Sequence, residues 1–121
     1  MARDVLIVDD DYDIRETLTQ VLEDDGYQVR TAVNGVEALE LLRRGPAPGM
    51  VLRDLMMPVM DGWEFHAERA RAPELSKLPV VLLTADLAAV SRVEKAGAQG
   101  FLAKPVRLEA LLETVQRWTQ G

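Results

Sequence analysis

Acidic side chains follow two short apolar segments of the chain, at places where they could act together. The aspartates at 9–11 come directly after an apolar run at 5–8, and Asp54 comes shortly after the apolar residues at 50–52. Two like charges about 4 Å apart repel each other by roughly 4 kcal/mol at an effective dielectric constant near 20. If these carboxylates converge, the fold must protonate one of them or hold a cation beside them.

A hydroxyl group and an ammonium group follow two further apolar segments. Thr84 comes directly after the run at 80–83, and Lys104 comes after the residues at 101–103. An aspartate can be a covalent nucleophile that forms an acyl phosphate, and phosphoryl transfer needs mainly positioning and charge neutralisation. A divalent cation, an ammonium and a hydroxyl could each serve one phosphoryl oxygen, and oxygen ligands suit Mg²⁺. Each residue alone could be a cap, a turn residue or a surface charge, but together they indicate phosphoryl transfer.

These residues can meet only if the fold brings the ends of the apolar segments together. Short apolar segments alternate along the whole chain with stretches whose apolar residues repeat at helical spacing. This alternation predicts a doubly wound α/β fold, with a parallel sheet covered by helices on both faces. Ligands of such sheets bind beyond the carboxyl ends of the strands. The predicted strands lie at 5–8, 28–32, 50–52, 80–83 and 101–103.

Helices are predicted after each of these strands. Strong apolar stripes lie at 14–22, 38–42 and 108–115, with the spacing of one helix face. Two thinner stripes predict a third helix that begins near Gly62 and a fourth that begins near Leu87. The complete prediction is therefore a five-stranded sheet with five helices.

The composition limits the class of protein. The 121 residues, of which 48% are hydrophobic, suffice for one globular domain over 1–121. The net charge of −6 argues against nucleic-acid binding. The absence of cysteine and the presence of one histidine, His66, exclude disulfides and a His/Cys zinc site. The apolar runs are too short for a signal peptide or a membrane span, so we expect a cytoplasmic protein without membrane contact.

Four motifs resemble those of the response-regulator receiver family, the CheY-like domains of two-component signalling. The motifs are Val-Asp-Asp-Asp at 8–11, Asp-Leu-Met-Met-Pro-Val-Met-Asp-Gly at 54–62, Leu-Thr-Ala at 83–85 and Ala-Lys-Pro at 103–105. The resemblance covers the whole chain and implies the flavodoxin-like strand order 2-1-3-4-5. It also implies a signalling switch, not a turnover enzyme, that receives a phosphoryl group from a sensor histidine kinase or a phosphotransfer protein. The output partner is not implied.

The resemblance assigns a role to each residue of the site. Asp54 would be the phosphoacceptor. Asp9, Asp10, Asp54 and the backbone carbonyl of Met56 would hold Mg²⁺ or Mn²⁺, with Asp9 acting largely through water. Lys104 would pair with the phosphoryl group and with Asp54.

The resemblance further implies a switch and three structural residues. Thr84 would move its hydroxyl onto a phosphoryl oxygen, and Phe101 would turn inward as it does so. This change would alter the surface formed by the fourth helix, the fifth strand and the fifth helix. Pro58 and Gly62 would shape the loop after the acceptor, and the peptide bond before Pro105 would be cis.

Polar residues depart from the family pattern at Arg53, His66 and Arg69, where receivers commonly have apolar or small residues. Arg53 should point to the opposite side of its strand from Asp54, away from the metal ligands. We interpret these residues as long stems that reach solvent beside a loosely seated third helix. The alternative is a polar cluster that binds a partner or a second copy. The stretch at 84–97 is also shorter than is typical of the family.

Three other classes of protein are alternatives to a receiver. A pseudo-receiver keeps the fold as an interaction module without phosphorylation, but the five residues Asp9, Asp10, Asp54, Thr84 and Lys104 are intact. An aspartyl phosphatase usually has a second aspartate two positions after the nucleophile, where this chain has methionine. A flavin carrier would need hydroxyls and amides, not aspartates, after the first strand. The receiver is the function that these residues favour.

Overall fold

The computed structural model describes residues 4–45, 47–54, 78–86, 88 and 98–119. Each described element matches a strand or a helix that the sequence predicts. The elements in chain order are β1 (Asp4–Val8), α1 (Tyr12–Asp24), β2 (Gln28–Ala32), α2 (Gly35–Arg44), β3 (Met50–Asp54), β4 (Val80–Thr84), β5 (Gly100–Ala103) and α3 (Leu108–Thr119). The predicted helices near Gly62 and Leu87 lie outside the described residues.

The strands form one sheet in the order β2-β1-β3-β4-β5, and every neighbouring pair is parallel. This confirms the predicted strand order. In β4, all five residues are buried, and in β3 only the last residue, Asp54, is partly exposed. Such continuous apolar burial is expected for central strands that are covered on both faces. Polar side chains therefore lie where these strands end, at Asp54 and Thr84, with Arg53 as a buried exception inside β3.

Two apolar clusters cover the two faces of the sheet. On one face, α2 contributes Ala38, Leu39 and Leu42 to a cluster that includes Val51 of β3. On the other face, α1 and α3 pack against the alternate residues of the same strands, including Leu52. Because successive strand residues point to opposite faces, Arg53 lies on the α2 face and Asp54 on the face of α1 and α3.

The ends of α1 explain how the chain turns after β1 and returns to β2. Asp11 is the N-cap of α1, and its side chain accepts hydrogen bonds from the backbone of Asp13 and Ile14. After the helix, Gly26 has a φ of 91°, a conformation that residues with a Cβ rarely adopt.

Within the described residues, every helix is too short or too polar to cross a lipid bilayer.

Candidate functional site

Three carboxylates meet at the carboxyl end of the sheet. Val8, the last residue of β1, is paired with Arg53 of β3, so the residues that follow them are neighbours. Asp9, Asp10 and Asp54 each offer an oxygen atom, and these oxygens all lie within 4.8 Å of one another. The sequence prediction that these three aspartates converge is confirmed.

Lys104 joins this cluster from β5. Its Nζ lies 3.2 Å from Oδ2 of Asp9 and 3.5 Å from Oδ1 of Asp54. Its backbone N–H donates to the carbonyl of Thr84 at 2.9 Å, which continues the pairing of β4 with β5. The Lys104–Pro105 peptide bond is cis, as the resemblance implies. The ammonium therefore partly offsets the repulsion between two carboxylates.

Asp9 is the buried member of the cluster, with an exposed fraction of 0%. Its Oδ1 accepts a hydrogen bond from the backbone of Asp11 at 2.9 Å, and its Oδ2 accepts one from Lys104. A buried carboxylate without such partners would be strongly destabilising. Asp10, the next residue, is exposed. Asp9 is therefore shielded from solvent and Asp10 is open to it, although both carboxylates belong to the same cluster.

Thr84 lies at the end of β4, one position beyond the residue paired with Asp54. Its side chain is almost fully buried, and its Oγ1 accepts a hydrogen bond from the backbone of Asp86 at 2.9 Å. The same hydroxyl donates to the carbonyl of Asp86 over a longer distance of 3.3 Å. Phe101, on the adjacent strand, is 40% exposed. In this structure the Thr84 hydroxyl is thus held by its own loop.

Comparison with known sequences identifies the family. The family model described as "Response regulator receiver domain" matches residues 5–116, nearly the whole chain. The chain belongs to the response regulator receiver family. Receiver domains are switches in two-component signalling, as the motifs at the strand ends indicated.

Two relatives illustrate the range of proteins that contain such a receiver. Protein PilH of Pseudomonas aeruginosa is 37% identical over 123 aligned positions, which cover 100% of both chains. Response regulator MprA of Mycobacterium leprae is 40% identical over 114 positions, which cover 93% of this chain and 49% of MprA. The receiver therefore spans the whole of one relative and about half the length of the other.

Solved structures give the same fold. The chemotaxis response regulator CheY4 of Vibrio cholerae has a TM-score of 0.88 and 34% identity, over 97% of this chain and 98% of that chain. The receiver domain of a sensor histidine kinase from Pseudomonas aeruginosa has a TM-score of 0.89 and 26% identity, over 100% of both chains. That second structure has a magnesium ion coordinated in its active site cleft.

The carboxylates of this receiver fit a small divalent cation. Mg²⁺ binds oxygens at about 2.0–2.1 Å, so two oxygens on opposite sides of the ion are about 4.2 Å apart. The 4.8 Å limit on the separations in the cluster is only slightly larger. A small side-chain rotation would bring the oxygens to these distances, and a bridging water would serve an oxygen that stays farther from the ion. The expected fourth ligand, the Met56 carbonyl, and the loop residues Pro58 and Gly62 lie outside the described residues.

Arg53 is placed differently from its prediction. Its exposed fraction is 0%, so its stem does not carry the guanidinium to solvent, and that interpretation is wrong for this residue. Its Nε donates to the backbone carbonyl of Asp54 at 3.1 Å. The side chain points away from the carboxylates, as predicted. His66 and Arg69, which were interpreted together with Arg53, lie outside the described residues.

Two residues near the receiver's carboxylates have structural roles that the sequence reasoning did not assign. Nη1 of Arg15 donates to the backbone carbonyl of Asp9 at 2.7 Å, and its guanidinium carbon lies 5.7 Å from the centre of the Tyr12 ring. Asp11 is occupied as the N-cap of α1 and is not one of the three clustered carboxylates. A basic residue one turn into the helix after an acidic run was the available signal for Arg15.

Proposed function

We propose that the 121-residue chain acts as a single receiver domain that accepts a phosphoryl group on Asp54 in a reaction that requires Mg²⁺. The donor would be the phosphohistidine of a sensor histidine kinase or of a phosphotransfer protein. The observation that carries this proposal is the position of Lys104, which contacts both the buried Asp9 and the partly exposed Asp54. An ammonium held there can move from the carboxylate to a phosphoryl oxygen without leaving the site.

The proposed step is a displacement at phosphorus. A carboxylate oxygen of Asp54 forms the new O–P bond while the P–N bond to the donor imidazole breaks. The imidazole nitrogen keeps the electron pair of that bond and takes up a proton, which leaves a neutral histidine. The step needs charge neutralisation more than acid–base chemistry. The described site offers an ammonium and a hydroxyl for this purpose, and carboxylates that would hold a cation.

The charges of the described residues support a divalent cation. The three clustered carboxylates and the Lys104 ammonium carry a net charge of −2. A bound Mg²⁺ or Mn²⁺ would neutralise this charge and polarise the incoming phosphoryl group. Asp10, Asp54 and the Met56 carbonyl would bind the ion directly. Asp9, which is fully buried and already bonded to Lys104, would act through water.

Thr84 and Phe101 would convert phosphorylation into a change of surface. The Thr84 hydroxyl donates over a long distance, 3.3 Å to the carbonyl of Asp86, and a phosphoryl oxygen would readily replace this acceptor. Phe101 is 40% exposed and could then turn inward. The altered surface, formed by the fourth helix, the fifth strand and the C-terminal helix, would bind a protein partner. We expect no nucleic acid there, since the chain is acidic, and we place the exchange in the cytoplasm.

Mass spectrometry with a small acyl-phosphate donor tests the proposal. In the presence of Mg²⁺ the intact chain should gain the mass of one phosphoryl group, in a bond that is stable to acid and labile to base. Asp54→Asn should remove the adduct, and a chelator should prevent its formation. Asp13→Asn changes an exposed aspartate outside the cluster and should leave the adduct unchanged. Equal labelling of the Asp54→Asn chain would contradict the proposal.

A further inference from the structure

The side chain that precedes the acceptor is an unusual feature of this chain. Arg53 is fully buried and is the largest of the fully buried side chains among the described residues. It stands between Val8 on β1 and Leu82 on β4, within the apolar part of the sheet. Replacing a buried charged residue by a well-packed apolar one is often neutral or stabilising. Stability of the fold alone is therefore a weak reason for an arginine at this position.

The hydrogen bond of Arg53 Nε acts on the backbone of the acceptor. Its Nε donates to the carbonyl oxygen of Asp54 at 3.1 Å. That carbonyl belongs to the last residue of β3, where regular pairing with the neighbouring strands ends. Because the peptide group is planar, a hydrogen bond that holds this oxygen also holds the direction in which the chain leaves the strand.

We infer that Arg53 is a positioning residue for the divalent cation. Through its bond to the Asp54 carbonyl, it fixes the backbone of the acceptor at the end of β3 and with it the position of the acceptor carboxylate. It does this from the opposite face of the sheet, without contact with the ion. The inference rests on the proposed function, because the bound group is Mg²⁺.

Four side chains at position 53 separate the hydrogen bond from the charge. Glutamine has an amide nitrogen at the same number of bonds from Cα as arginine Nε, so Arg53→Gln keeps the donor and removes the charge. Arg53→Met has similar length without donor or charge. Arg53→Lys keeps the charge, puts a methylene group where Nε was and moves the donor nitrogen one bond farther from Cα. The wild type has both properties. The comparison of methionine with glutamine therefore isolates the donor in the absence of charge.

Isothermal titration with MgCl₂ alone gives the decisive measurement, since it needs no phosphoryl donor. The Kd for Mg²⁺ should be roughly fivefold higher in Arg53→Met than in Arg53→Gln, as expected for the loss of one hydrogen bond. The Kd for Mg²⁺ of Arg53→Lys should be higher than that of the wild type by a similar factor. The melting temperature should not follow this order, since methionine places no polar amide in this apolar part of the sheet and should be at least as stable as glutamine.

The possible outcomes distinguish this inference from the proposed function. If the wild type binds Mg²⁺ and the methionine and glutamine chains bind it equally well, the positioning role is wrong while the proposed function stands. If Kd changes only when the charge is removed, the effect is electrostatic and the inference also fails. If the wild type does not bind Mg²⁺, both fail. Should either uncharged variant not fold, Arg53→Lys is compared with the wild type, and an equal Kd for Mg²⁺ in the two chains would contradict the inference.

Discussion

The two halves of the site bring opposite chemistry to the same edge of the sheet. The half formed by β1 and β3 supplies the carboxylates of Asp9, Asp10 and Asp54. The half formed by β4 and β5 supplies the hydroxyl of Thr84 and the ammonium of Lys104. A cation is attracted to the first half and the oxygens of a phosphoryl group to the second. The arrangement suggests that binding of metal and stabilisation of the phosphoryl group can be separated by mutation.

Lys104 belongs to one half of the site by its backbone and contacts the carboxylates of the other half with its side chain. Its backbone continues β5, but its ammonium lies among the carboxylates of the other half. There it competes for the charge that would bind a divalent cation. This contact makes Lys104 the most informative residue to change, because its removal should affect the two halves in opposite directions.

Lys104→Met should have the largest effect. Phosphoryl transfer from an acyl-phosphate donor should slow by about 100-fold, since one preorganised charge in an active site contributes on this scale. The Kd for Mg²⁺ should decrease, because the competing ammonium is gone. Without Mg²⁺ the fold should lose about 3 kcal/mol, since the buried Asp9 loses its partner. Stopped-flow labelling, calorimetric titration and urea unfolding measure the three quantities.

A matched control for this change is Arg107→Met, which removes an exposed positive charge from the same connection between β5 and α3. It should leave all three quantities close to those of the wild type. If Lys104→Met weakens Mg²⁺ binding as strongly as it slows transfer, the two halves cannot be separated in this way.

Asp10→Asn should have the next largest effect, which should be confined to the affinity for the cation. The Kd for Mg²⁺ should rise by at least about tenfold, because a direct ligand is lost, and changes in supporting residues alone already cost this much. Saturation at about 100 times Kd should stabilise the wild type by roughly 2.7 kcal/mol. The variant should gain much less at the same concentration of Mg²⁺. Without the ion its stability should match the wild type, since Asp10 is exposed; a large loss there would mean that Asp10 is structural.

The sequence predicted the sheet because its signals are local and repeated. The short, continuous and branched apolar run of β4 fits a buried strand in an alternating chain, and strand order followed from the resemblance to the family. The convergence of Asp9, Asp10 and Asp54 was also predictable, since the carboxyl ends of parallel strands share one edge. The strands and the carboxylate cluster were predictable because both depend on residue patterns that are local in the sequence.

Other features depend on contacts between distant residues and were not predictable. Arg53 was expected to reach solvent because arginine usually does, but its burial depends on the elements that cover the α2 face of the sheet. The role of Arg15 depends on how α1 starts relative to the carbonyl of Asp9. In both residues the side chain bonds a backbone carbonyl, and sequence patterns of side-chain types do not reveal such bonds.

Asp11→Ala should have the smallest effect. It distinguishes the capping role of Asp11 from the proposed metal-binding roles of Asp9 and Asp10. Asp11 differs from Asp9 and Asp10 because its carboxylate accepts the backbone N–H groups of Asp13 and Ile14 at 2.9 and 3.2 Å. Loss of this N-cap should cost about 1 kcal/mol of folding free energy, while Asp11→Ser should retain most of it. The Kd for Mg²⁺ and the rate of phosphoryl transfer should stay within about twofold of the wild type, because the bond to Asp9 comes from the backbone of residue 11 and not from its side chain. If Mg²⁺ binding falls as far as in Asp10→Asn, the carboxylate of Asp11 belongs to the cation site, and the cap is not its main role.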